Sequence, residues 1–406
     1  MHSLMSSILV ISLTFQGLLI DFRIFGLPIW SLMLFLFLPY INLYVKSSLN
    51  LTNLSLRQVY YYFFILAFFI CLSNLYLSAF HRAGLVLAGM IVTTIIFYEY
   101  RNHIKSFIKL IIIVILVQSL FSIFQFHSDL EFFEEFKRQA WVCDRYQGGA
   151  IIDGSCSWKT WDKGSSGTFA FPVPYGYFML TFLPIVYPFI LSFFRRKRYL
   201  NNILIGFLSL AGFYALVLSM QRGAIITTVV SIIIINFFSL KLRTNFIILL
   251  IIAFLPIIFF EYFSVAKELF TWDMLQERLT NQFKSIAQVK DQNMPGSHMY
   301  SYNIYKYYGF LGFFSILVFY AILLRVIVKH QKYISGILPN GTLIGASMSL
   351  ISYQINALFH NNGHFAADVV GFISIGYMFS LVYFISEKYH HSSYSKRDKD
   401  VLNFDR

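Results

Sequence analysis

Residues 173–198 read VPYGYFMLTFLPIVYPFILSFFRRKR. Positions 173–194 carry no charge, and the four that follow are all basic. An α-helix rises about 1.5 Å per residue, so this run is long enough to cross the roughly 30 Å hydrocarbon layer of a bilayer. The cluster Arg195-Arg196-Lys197-Arg198 then has the character of a cytoplasmic loop, where Lys and Arg are in excess. Similar apolar runs recur at about 4–20, 25–45, 58–79, 83–99, 105–126, 202–219, 223–240, 245–262, 306–328, 338–357 and 367–386. The expected fold is therefore all-α: a polytopic transmembrane helical bundle of about twelve helices.

Composition agrees. Of 406 residues, 57% are hydrophobic and 13% charged, against roughly 25% charged in a soluble domain. The net charge of +13 raises nucleic acid as a partner, but the basic residues sit in short clusters between apolar runs and form no continuous basic face. Membrane lipids are the expected surroundings, with no nucleic acid. No Lys or Arg precedes the first apolar run and no small-residue cleavage site follows it, so that run is expected to be a retained helix.

Fixing Arg195–Arg198 in the cytoplasm places Lys46, Arg57, Arg101, Lys105, Lys241, Arg243, Lys329, Lys332 and the tail from Lys396 to Lys399 there too. Both termini come out cytoplasmic. Helices one to five then occupy 1–126, six to nine 173–262, and ten to twelve 306–386, with a disordered cytoplasmic tail at 387–406. Two long polar segments fall outside, 127–172 and 263–305. Both are expected to contain short helices, including an amphipathic one at 272–290. Loops longer than about 15 residues are usually functional.

The first outer segment holds Cys143 and Cys156, with Gly148, Gly149 and Gly154 between them. In an oxidising compartment they would close a small loop, worth roughly 3 kcal/mol in the chain-entropy model; the alternative is two free thiols. Trp141, Trp158, Trp161 and Trp272 are four of the five tryptophans, all on the outer side. An interfacial aromatic belt accounts for such residues, and so does stacking on sugars. Arg145 shares this loop.

Arg222, in Ser219-Met220-Gln221-Arg222-Gly223-Ala224, stands between two apolar runs at the outer edge. A charge there implies a functional partner, unless the side chain snorkels to the headgroups. Arg278 lies on the amphipathic stretch, where ordinary surface charge is the plain alternative. His298 follows the turn Pro295-Gly296, and a lone histidine is more often structural than catalytic. Arg82 is a weaker candidate at another outer edge, and Tyr300 follows His298 by two residues. His360 and His364 have the spacing of a helical metal pair, but Asn361-Asn362-Gly363 is turn chemistry and no carboxylate or cysteine completes the set. That segment reads as a polar outer turn touching substrate through His360 and Asn361, with no metal. The sequence has no P-loop, HExxH, GxSxG or dinucleotide fingerprint.

Several of these elements resemble the O-antigen ligase and polymerase family. Gly167-Thr168-Phe169-Ala170-Phe171-Pro172, running into Tyr175–Pro184, is similar to its "GTFxNP…lPl" motif. Gln221-Arg222-Gly223-Ala224 resembles "SRGA", with Gln in place of Ser. Pro295-Gly296-Ser297-His298 followed by Gly309-Phe310-Leu311-Gly312 resembles "HN…GllG", with Met299 in place of Asn. Together they cover about 164–330. The resemblance implies a bacterial inner-membrane enzyme that transfers a glycan from an undecaprenyl-diphosphate-linked oligosaccharide donor to an acceptor on the periplasmic face. It needs no nucleotide sugar, metal or other cofactor. By the same resemblance Arg222 and Arg278 bind the diphosphate and His298 is the general base. The abundance of Phe (46) and Tyr (27), with many Ile, Asn and Lys, suggests an AT-rich gene of a surface-polysaccharide cluster. That favours a polymerase, with a chain-length regulator as a further partner, over a ligase acting on lipid A–core. A lipid-linked oligosaccharide flippase is the alternative from another class. It should show two similar halves and mid-membrane charges, and neither is seen here.

Overall fold

The computed structural model describes residues 2–15, 23–24, 27–28, 34, 53–77, 80–128, 151–152, 155–156, 165–169, 172–194, 210–219, 221–239, 300–334, 337–357, 365 and 368–404. These are overwhelmingly helical. In chain order the helices are α1 (His2–Thr14), α2 (Leu54–Tyr76), α3 (Phe80–Tyr100), α4 (Ile104–His127), α5 (Pro172–Phe194), α6 (210–218), α7 (Arg222–Ser239), α8 (Tyr300–Lys329), α9 (Thr342–Ala357) and α10 (Val369–Phe404). A 3₁₀ turn, His330–Tyr333, closes α8. Two minimal antiparallel pairs complete the inventory: β1 (Arg23–Ile24) with β2 (Leu27–Pro28), and β3 (Ile151–Ile152) with β4 (Ser155–Cys156).

Among the described residues six stretches are long and apolar enough to cross a membrane: Leu54–Tyr76, Arg82–Tyr100, Ile104–His127, Val173–Ser192, Tyr308–Tyr333 and Val369–Tyr389. Leu4–Thr14 and Gly223–Phe238 are shorter apolar helices. The protein is thus a helical, multi-pass membrane bundle. The expected spans at 25–45 and 245–262, and the amphipathic helix at 272–290, lie largely or wholly outside the described residues.

Within the run at 25–45, Leu27 and Pro28 pair with Arg23 and Ile24. One expectation is corrected. The tail does not leave the last span, since α10 continues as helix to Phe404. No Gly or Pro occurs between Tyr377 and Phe404 to stop it.

Helix ends sort to two faces of the bundle. At one, Ser6 and Ser7 of α1 meet the Tyr100 hydroxyl at the end of α3, at 3.3 and 3.1 Å. The Arg101 guanidinium lies over the rings of Tyr98 and Tyr383, 4.6 and 5.4 Å from their centroids. Asn53 caps α2 by accepting from Leu56 N (3.1 Å) while its Nδ2 donates to Ser386 Oγ on α10 (2.7 Å). His330 completes this knot. Its Nδ1 donates to the Val326 carbonyl (2.7 Å), leaving Nε2 of the neutral ring as the acceptor beside Ser386 Oγ (3.0 Å) and Asn53 Nδ2 (3.3 Å). The basic residues Arg57, Arg101, Lys329 and Lys332 all belong to this end.

Between the faces the core is aromatic. The Phe63 ring packs 5.6–6.2 Å from those of Phe319, Phe365, Phe372 and Phe379, which ties α2 to α8, α10 and the segment before α10. Small residues bring the helix backbones together. A Cβ on Gly376 of α10 would lie 2.8 Å from the Thr93 carbonyl of α3. Ser231 Oγ on α7 meets Ser352 Oγ on α9 at 2.6 Å. Gly345 of α9 packs against the Pro184 carbonyl of α5. Pro188 cannot donate to that carbonyl, so the close approach of Gly345 covers an acceptor that would otherwise be bare in the membrane.

Candidate functional site at one end of the bundle

The opposite face gathers the C-terminal ends of α1, α2, α4 and α9 and the N-terminal ends of α5, α7, α8 and α10, together with residues 165–169. Polar groups are concentrated here. On α4, Gln118, Ser122 and Gln125 recur at helical spacing along one buried stripe. They read the backbone of the 165–168 segment in order. Gln118 accepts from Thr168 N (2.9 Å), donates to Thr168 Oγ1, and donates to the Thr14 carbonyl at the end of α1 (2.8 Å). Gln125 accepts from Ser166 N (2.9 Å) and Ser165 Oγ (2.8 Å), and Ser122 Oγ donates to Ser165 Oγ (2.7 Å). Ser165 N reaches the Leu218 carbonyl (2.9 Å) at the end of α6.

The segment turns at Gly167, whose φ is +56°. A Cβ there would meet the Gln118 Oε1 at 2.7 Å and the Tyr175 ring at 3.0 Å. Only glycine serves both the left-handed backbone and the space. Replacing Gln118 by Leu strands the Thr168 N–H, while the Thr14 carbonyl keeps only the Thr168 hydroxyl as donor (3.0 Å). We expect a loss of about 1–3 kcal/mol, read as a lower thermal midpoint of the detergent-solubilised protein, with Ser119→Ala as the mild control.

Residues 165–169 lead into α5, whose first turns pack on the start of α7. A Cβ on Gly176 would lie 2.9 Å from Gln221 and 3.4 Å from Ala224. Arg222 is the first residue of α7, so its backbone stands at this same end of the bundle, one residue from Gly223. Gly223 in turn lies directly against the side-chain carbonyl of Asn356, near the end of α9. One turn before Asn356, the Tyr353 hydroxyl donates to Asp368 Oδ2, while Asp368 Oδ1 accepts from Gly371 N (3.0 Å) and caps α10. The Tyr177 ring meets Tyr353 edge-on at 5.1 Å. On the far side, α8 breaks at Gly309 (φ +66°, ψ −175°), so Tyr300–Tyr308 takes its own direction from the helix that follows. Asn74, fully buried on α2, donates to the Tyr308 hydroxyl at this break (2.8 Å).

No protein-family model matches the chain, and neither does any curated protein or solved structure.

Of the residues expected from sequence, Arg82 is part-buried in the first turn of α3, at this same face. The backbones of Arg222 and Tyr300 are the starts of α7 and α8. Cys156 belongs to β4, with Ile151 opposite it. Cys143, Arg145, Trp158, Trp161, Arg278, His298, His360 and Asn361 lie outside the described residues. Among the described residues no cluster of His, Cys, Asp or Glu is suited to a metal. Gln118, Gln125, Asn356, Tyr353, Asp368 and Asn74 are not among the residues expected from sequence. The signal for the first two is present, as glutamines seven residues apart in an otherwise apolar run. The others become legible only when separate helix ends meet.

Proposed function

We propose that this chain is an O-antigen polymerase. It joins undecaprenyl-diphosphate-linked oligosaccharide repeat units on the periplasmic face of the bacterial inner membrane. One observation carries the reading. Three motif-like elements widely separated in sequence, at Gly167–Phe169, Gln221–Ala224 and Gly309–Gly312, all belong to the same face of the bundle.

The chemistry accounts for the residue types. An acceptor hydroxyl attacks the anomeric carbon, the bond from that carbon to the diphosphate oxygen breaks, and the configuration inverts. His298 takes the hydroxyl proton. The departing diphosphate needs fixed cations, and guanidinium forks on Arg222 and Arg278 match phosphate oxygens in pairs. Trp158, Trp161, Arg145, Arg82, Tyr300, His360 and Asn361 would line the path of the sugars.

Separate strains lacking polymerase, ligase or flippase test the class. A lipopolysaccharide ladder restored in the polymerase deletion alone is the expected result; rescue of the ligase or flippase strain would reassign the protein. Sidedness is tested independently. Reporter fusions at Trp158 and at the C-terminus should report opposite compartments, with Trp158 outside. Matching signals would overturn the orientation.

A further inference from the structure

One side of α8 changes character along its length. Beyond the break at Gly309, Phe310, Phe314, Leu317 and Ala321 are exposed, and their spacing keeps them on one side of the helix. The buried Ile316, Phe319 and Leu323 lie on the other. Tyr308–Tyr333 is long and apolar enough to cross a membrane, so the exposed side is a surface for acyl chains. The same side then ends in Arg325, Lys329 and Lys332, all exposed, at i, i+4 and i+7. At 1.5 Å per residue the three cations extend over about 10 Å, enough to reach through one headgroup zone of roughly 5–8 Å. Lys332 lies over the Tyr333 ring, 4.8 Å from its centroid, and Tyr333 meets Tyr389 of α10 at 4.3 Å. Tyrosines of this kind mark the level of the membrane interface.

Two of these cations have an ordinary explanation. Lys329 is the last residue of α8 and Lys332 lies in the 3₁₀ turn after it, where water and the negative end of a helix favour positive charge. Arg325 has none. It stands a full turn inside α8, beyond the reach of that effect, on the side that Leu317 and Ala321 present to lipid. Among the described residues it forms no ion pair with a carboxylate. A guanidinium at that level needs an anion, and the bilayer supplies one there as phospholipid phosphate. We propose that this side of α8 binds an anionic phospholipid, with its phosphodiester between Arg325 and Lys329 and its acyl chains along Ala321, Leu317 and Phe314. The Arg325 fork takes two phosphate oxygens and Lys329 adds a point charge. Lys332, on the water side, repels the cationic end of a zwitterionic headgroup and so selects a lipid with net negative charge. The inference is independent of the reaction proposed above.

The experiment titrates the full chain in detergent with phosphatidylglycerol or phosphatidylcholine of matched acyl chains, reading bound lipid by native mass spectrometry and the thermal midpoint in parallel. The unmutated protein should bind phosphatidylglycerol about tenfold more tightly than phosphatidylcholine, and inorganic phosphate should not reproduce the stabilisation. Arg325→Gln/Lys329→Gln/Lys332→Gln should abolish the preference. Lys105→Gln/Lys109→Gln/Lys388→Gln removes the same charge from exposed positions on α4 and α10 and should retain it. Arg325→Lys keeps the charge that guides insertion but loses the fork, and should weaken phosphatidylglycerol binding about threefold; it decides the matter if the α8 triple variant does not fold. Equal binding of the two lipids by the unmutated protein, equal losses in the two triple variants, unaltered binding by Arg325→Lys, or full stabilisation by inorganic phosphate would each overturn the proposal. So would a dimer of the unmutated chain that the α8 triple variant breaks apart, which would give this side of the helix to a second copy.

Discussion

Arg222→Lys is expected to be nearly as inactive as Arg222→Ala when the purified enzyme elongates lipid-linked repeat units. Both should lose on the order of 10²–10³ in turnover, the range for deleting one preorganised charge-stabilising group. An ammonium keeps the charge, but it cannot place two parallel N–H bonds on a phosphate. Helix α7 begins at this residue. His298→Ala should cost about 10²–10⁴ in rate with donor binding intact, because a base is needed only as the new bond forms. On the proposed mechanism activity should survive excess chelator, since Arg222 and Arg278 would neutralise the diphosphate in place of a metal. Normal elongation by His298→Ala would show that the base is misassigned. Loss of activity on chelation would show that the metal-free scheme is wrong. Near-normal turnover by the Arg222→Lys enzyme would remove the fork argument.

The second large effect is structural. Gly345→Val should destabilise the bundle by on the order of 3 kcal/mol, at the upper end for overpacking a tight site. The Cβ of any larger residue would collide with the Pro184 carbonyl, which is backbone and cannot rotate away. To relieve the clash, α9 must back off from α5 and uncover an acceptor that Pro188 has already deprived of its helix partner. Gly84→Val is the matched control, because nothing lies within 4 Å of its Cβ position. Thermal midpoints and the fraction of monodisperse protein after solubilisation should separate the two variants clearly. Similar behaviour would mean that the α5–α9 approach is not a fixed feature of the fold.

What the sequence discloses about this molecule follows from which interactions are local. Long apolar runs bounded by basic clusters reveal a membrane bundle, because the cost of exposing charge to lipid acts on each helix separately. The runs at 58–79, 105–126, 173–194 and 306–328 accordingly return as α2, α4, α5 and α8 with ends close to those expected. Helix termination is less legible. The charged stretch after Glu387 reads as a loose tail, yet α10 runs through it because no residue there breaks the helical backbone. Arg222 is visible as an isolated charge between two apolar runs. Asn356 and Asp368 are not, since an amide or a carboxylate at a helix end is commonplace until Gly223 or Tyr353, more than a dozen residues away in the chain, is brought against it.

The knot of Asn53, His330 and Ser386 bears on how the chain is made. Its first and last members are 333 residues apart, and ribosomes add roughly 5–20 residues per second, so α2 is synthesised on the order of 15–65 s before the serine that receives the Asn53 amide exists. During that interval the Asn53 amide nitrogen lacks its Ser386 acceptor, with only the His330 ring available to it once α8 is made. The amide needs a chaperoning surface or the headgroup zone until α10 arrives. A product truncated before Ser386 lacks the hydroxyl that the Asn53 amide donates to, and should hold α2 less firmly than the full chain does.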